Sequence, residues 1–149
     1  DFPSQTLMVF YHVLNKILLD EIRERRGLAY GINSDYACYH DIYEFEISGR
    51  ISPDATSYID ELVQDCIGMV PSRNDLFDRM LETNKKRYLM TDHSGSSLAN
   101  SSAKDLVSDH RIITLQEAYD DLGTVKPNQM VEAVALLGPD RKYTFITCP

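Results

Sequence analysis

Apolar residues at Phe10, Val13, Leu14, Ile17, Leu18 and Ile22 follow three-and-four spacing, which predicts a helix from Pro3 or Ser4 to about Arg26. Gly27 then stands where a C′ residue enters the left-handed region, with Arg25 and Arg26 placing positive charge on the last carbonyls. Beyond it the pattern changes. Leu28–Tyr39 and Ile42–Ile51 have strand composition, and in the second Tyr43, Phe45 and Ile47 alternate with Glu44, Glu46 and Ser48. His40-Asp41 between them makes a tight turn, so the pair reads as an antiparallel hairpin.

Helical spacing then returns. Ser52-Pro53-Asp54 reads as N-cap, first-turn proline and first-turn acid of a helix running to about Met69, with Ile59, Leu62, Val63, Cys66 and Ile67 facing inward. Pro71 stops it. Ser72-Arg-Asn-Asp75 resembles a capping box for a helix to about Thr91, which Gly95 and its neighbouring serines break. Another helix is predicted from about Ser97 to Asp109. Thr114-Leu-Gln-Glu117 is a further capping box, opening a helix that Gly123 ends. Pro127 begins the last helix, whose inner stripe is Met130, Val131, Val134 and Leu137. Gly138-Pro139-Asp140 turns the chain, and Tyr143, Phe145 and Ile146 form a closing strand. No repeat or linker divides residues 1–149, so one domain is expected. The order helix, hairpin, helices, strand is α+β: a small, mostly antiparallel sheet with helices on one face, narrow enough that a first strand is expected to be missing.

Charge changes the picture in one respect. The formal net charge of -8 excludes the basic surface that nucleic acid requires. No apolar run spans a bilayer and no signal peptide is visible, so no membrane partner is expected. The opening Asp1-Phe2-Pro3 lacks Met, which suggests processing or excision from a longer chain. Cys38, Cys66 and Cys148 read as buried free thiols rather than a disulfide framework, and they mark no compartment.

Candidate chemistry is sparse. His12, His40, His93 and His110 form no H-x-x-E-H or reversed motif, and His40 with Asp41 and Glu44 alternates along a strand rather than converging on an ion. No nucleophile elbow, P-loop or dinucleotide fingerprint occurs. Asn100-Ser-Ser102 matches a glycosylation acceptor without secretory context. Arg23 and Tyr30 remain. Taken alone, they are either a helix-end charge and a strand aromatic, or two donors aimed at one carbonyl group.

Leu19-Asp-Glu-Ile-Arg-Glu-Arg-Arg-Gly-Leu-Ala-Tyr30 resembles the signature in the second homologous half of insulinase/pitrilysin-type zinc peptidases, the group that includes mitochondrial processing peptidase. The order of hairpin and later helices is similar through almost the whole chain. The resemblance implies a metallohydrolase-like half-domain without zinc, closing over a homologous half that carries the metal. Arg23 and Tyr30 would then act in trans, hydrogen-bonding the substrate backbone near the scissile bond. It implies no cofactor in this chain, zinc in the partner half, a peptide substrate, and inactivity of the chain alone. Two features depart from the family pattern: Asn15-Lys-Ile-Leu18 stands in place of a glycine- and serine-rich segment, and the strand before the first helix is absent. The competing expectation is a catalytically dead, peptidase-like scaffold or assembly subunit.

Overall fold

A computed structural model describes residues 4–39, 42–90, 94–108, 110–137 and 144. The architecture is α+β, and its centre is α1 (Ser4–Leu18). Val9, Phe10, Val13, Leu14, Ile17 and Leu18 are fully buried, and Leu7 nearly so. Two adjoining apolar rows, not a single stripe, run along this helix, which is what a helix needs when neighbours cover most of its circumference. Those neighbours are β1 (Ala29–Tyr39), α2 (Ile59–Met69), α3 (Asn74–Met90), α5 (Leu115–Thr124) and α6 (Gln129–Leu136). The helices predicted over 53–69 and 73–91 pack on α1 and share one core with the inner face of the hairpin.

β1 pairs antiparallel with β2 (Ile42–Ile51), so the hairpin expected from the alternation is present. Ile32 and Ser34 are buried on its inner face, where Phe45 and Ile47 pack against the core and Phe10 meets Phe45 edge to face. The outer face is polar; Asp35 stands opposite Glu46, a like-charge pair that favours a solvated surface. Asn15 ties α1 to the strand: its carboxamide accepts from the Ser34 N–H and donates to the Ser34 carbonyl at 3.0 Å. That bidentate contact imitates a neighbouring strand on an edge that no other described strand covers.

Several boundaries differ from expectation, each for a local reason. The helix predicted from Pro53 begins as a 3-10 turn, Pro53–Ala55, and α2 proper starts only at Ile59. Ser52 makes no side-chain cap bond; its N–H instead extends the ladder to the Leu28 carbonyl at 2.8 Å. The capping box expected at Ser72 is not formed. Ser72 donates its hydroxyl back to the Met69 carbonyl at 2.7 Å, while Arg73 grips Asp75 through two 3.0 Å hydrogen bonds. By contrast, Thr114 and Glu117 close a complete capping box on α5. In α6 Met130 and Ala133 are buried and Val134 packs against the core, as does Leu137 just beyond it; of the expected stripe Val131, about 100° from Met130 in helical phase, is exposed. α4 (Gly95–Ser108) covers the helix expected from Ser97. The turn at His40-Asp41, the ends at Thr91 and Asp109, the turn at Gly138–Asp140 and the strand through Tyr143, Phe145 and Ile146 lie outside the described residues.

Candidate functional site

The chain leaves α1 through an irregular junction. Leu19–Arg25 is a π-helical segment, wider than an α-helix by one residue per turn, and such segments recur at functional sites. It keeps Glu21 and Ile22 buried while turning Arg23 outward. The Arg23 carbonyl accepts from the Gly27 N–H at 3.0 Å, and Leu28 N–H reaches the Ile22 carbonyl at 2.9 Å. Gly27 adopts φ +64°, a conformation that side chains disfavour, and so closes the helix end as its position in the sequence predicts. Arg25 completes the cap differently from expectation: its guanidinium meets Glu21 at 2.7 Å.

Tyr30 follows on a β-bulge. Ala29 faces Ile51 and Gly31 faces Arg50, which leaves Tyr30 without an opposite number. The bulge shifts the parity of the strand. Ala29 and Ile32, three residues apart, both turn inward, whereas simple alternation would have paired Ala29 with Gly31 and Asn33. Tyr30 itself is thrown out to 85% exposure. Gly49 makes this geometry possible, because a Cβ there would stand 2.7 Å from the Gly31 carbonyl oxygen and 3.1 Å from Ile32 Cα.

Both sequence-predicted residues therefore stand on the surface at two consecutive irregularities of one loop-free connection. The Arg23 side chain is half exposed, with its Nε 3.7 Å from Glu24. Neither side chain hydrogen-bonds the other, and the Tyr30 hydroxyl has no hydrogen-bond partner among the described residues. What holds the junction is backbone: the Arg23 carbonyl, Gly27 and the bulge. At 85% exposure Tyr30 takes no part in the core.

Among the described residues, no three His, Cys, Asp or Glu side chains are grouped to hold a metal ion. His40 and Asp41 lie outside them. Cys66 on α2 is fully buried, and burial, reinforced by nearby Glu21, pushes its thiol up to about 11. A thiol held protonated in this way is a poor nucleophile. No helix of the described chain is long and apolar enough to cross a membrane.

No family model and no curated protein sequence matches the chain. Solved structures do. One is a conserved protein from Enterococcus faecalis V583, similar at TM-score 0.74 and 14% identity. The match covers 89% of this chain and 32% of that one, so this chain spans about a third of its neighbour's length. At that identity the likeness shows the fold alone.

Sequence reasoning missed a second polar constellation, between α1 and α3. A crevice of about 120 Å³ is lined by Met8, Tyr11, His12, Asn84, Arg87 and Tyr88. His12 Nδ1 lies 2.9 Å from the Met8 carbonyl, and Arg87 Nη1 lies 2.8 Å from His12 Nε2. Tyr88 donates to Gln5 at 3.3 Å. Asn84 is 2% exposed, and its Nδ2 has no hydrogen-bond partner among the described residues. His12 and Arg87 are 75 residues apart, which is why no spacing argument could join them.

Proposed function

We propose that this chain is the non-zinc, substrate-contacting domain of an insulinase-type metalloendopeptidase, inactive by itself, with Arg23 and Tyr30 serving a zinc-bearing homologous half in trans. One observation carries the reading. Within the Leu19–Tyr30 run, Arg23 and Tyr30 are both presented to solvent, one by a π-helical segment and the other by a bulge.

The division of labour follows from donor chemistry. The partner's zinc supplies a polarised scissile carbonyl and an activated water. This chain's guanidinium and phenol are hydrogen-bond donors, suited to a peptide carbonyl and to the negative charge that develops on it. An exposed donor is hydrated until substrate displaces that water, so the pair contributes little to folding and acts when the two halves close.

The test uses the assembled two-half enzyme. Arg23→Ala and Tyr30→Phe are expected to leave the melting temperature nearly unchanged and each to lower kcat by roughly ten- to a thousandfold. The double variant is expected to lose less than the product of the two, as for groups acting on one substrate backbone. Unchanged turnover in both single variants would refute the assignment and favour a scaffold.

A further inference from the structure

The crevice between α1 and α3 contains a hydrogen-bond chain whose protonation state is fixed by geometry. The Met8 carbonyl can only accept, so at 2.9 Å the His12 Nδ1 must carry a hydrogen. The Arg87 guanidinium can only donate, so at 2.8 Å the His12 Nε2 must present a bare lone pair. Both demands are met by a single species, the neutral imidazole protonated on Nδ1. Neither ring rotation nor the other tautomer satisfies both contacts.

We propose that His12 and Arg87 form a pH-sensitive clasp between α1 and α3, closed while the imidazole is neutral and released when it gains a proton. Protonation at Nε2 would set one N–H against another and bring two cations together, so the contact changes from a hydrogen bond to a repulsion. Arg87 is on the exposed side of the crevice, where a displaced guanidinium can reach water. Its departure would uncover the crevice wall formed by Met8, Tyr11, Asn84 and Tyr88. The clasp is independent of the assignment of Arg23 and Tyr30.

The surroundings reinforce the neutral form. Burial and then the Arg87 charge hold the His12 imidazole below its ordinary value, only partly offset by the Met8 carbonyl. The carboxylates in reach act on the neighbouring phenols: Asp35 of β1 on Tyr11, and Asp105 of α4 with Asp121 of α5 on Tyr88. Lys16, one turn further along α1, is paired with Asp20 at 2.6 Å. Tyr11 stacks on His12 at 4.0 Å between ring centres and is itself a hydrogen-bond partner of Arg87, so releasing the guanidinium loosens both rings. For a lowered histidine, closure is complete above the free imidazole value of about 6.5 and is lost as the pH falls through the lower folded value.

Nitrogen-15 NMR of the imidazole, with amide hydrogen exchange along α3, tests the clasp on the intact chain. The expected results are an Nδ1–H tautomer at pH 8, a His12 titration below that of a free histidine, and a rise in that titration in Arg87→Met. Exchange in the last two turns of α3, corrected for intrinsic chemistry, should quicken below the His12 transition by up to roughly tenfold per pH unit as the protonated fraction grows. His12→Gln keeps an acceptor for Arg87 but cannot titrate, and should remove that acceleration. An Nε2–H tautomer, an unshifted titration in Arg87→Met, or the same acceleration in His12→Gln would each overturn the proposal.

Discussion

Gly49→Ala is a sharp probe of the junction, because the cost can be worked out from two distances. The added methyl would stand 2.7 Å from the Gly31 carbonyl oxygen and 3.1 Å from Ile32 Cα, both backbone atoms that cannot rotate aside. Relief requires β2 to move away from β1 beside the bulge. Forcing a methylene into a packed site of this kind costs about 1–3 kcal/mol. Replacing glycine also restricts the unfolded chain and returns about 0.4–1 kcal/mol, so the net expectation is a destabilisation of about 1–2 kcal/mol. For a domain of 149 residues this lowers Tm by roughly 3–8 °C. Gly68→Ala is the matched control: it lies within α2, and a Cβ there meets nothing within 4 Å. That substitution is expected to stabilise by about 0.5–1 kcal/mol. Thermal unfolding of the two variants, followed by circular dichroism, gives opposite signs if the close approach is real. A neutral or stabilised Gly49→Ala would refute the packing argument. Exchange at residues 30–32 should rise in this variant, since the added methyl presses on the backbone that sets the bulge.

Two further outcomes follow from caps and burial. Thr114→Ala should cost about 1 kcal/mol in urea unfolding, because it removes an N-cap whose hydroxyl satisfies the Glu117 N–H. The Thr114 backbone N–H also holds the Glu117 carboxyl below its ordinary value, so its stabilising effect is present above the unfolded carboxyl value and fades as the pH falls through the folded one. Glu117→Gln, which removes the titrating carboxyl, should therefore flatten the acid limb of the stability profile; an unchanged limb would count against the box. Cys66, buried and held protonated, should resist iodoacetamide at pH 8 and react in denaturant, as peptide mapping at that residue will show. Rapid native labelling would contradict its placement.

Much of this fold was legible because each element announces itself over short range. The apolar rows of α1, the alternation of β2, the Thr114 box and Gly27 all act within a few residues, and each stands where the pattern places it. The misses have a common cause. Ser52 and Ser72 look like N-caps, but each found another use for its polar groups, one extending the ladder and one bonding backward. Val131 is apolar but lies about 100° in helical phase from the buried Met130, off the inner face. Of the candidate site, the identities of Arg23 and Tyr30 were readable, whereas their display was not. A π-helical segment has no propensity signature, although the run Ala29-Tyr-Gly-Ile32 does break alternation and could have flagged the bulge. The His12–Arg87 contact joins helices that only the fold brings together.

The bulge also has an arithmetical consequence. β1 contains 11 residues and β2 contains 10, and the surplus residue is Tyr30. Excising it would leave ten residues opposite ten, a ladder with every rung filled. Shortening by any other single residue between Ile32 and Tyr36 would instead turn the strand's inner face outward. The hairpin thus closes without counting Tyr30, as a sentence stands without its parenthesis. A side chain at that position is therefore free to change without altering the register of the hairpin.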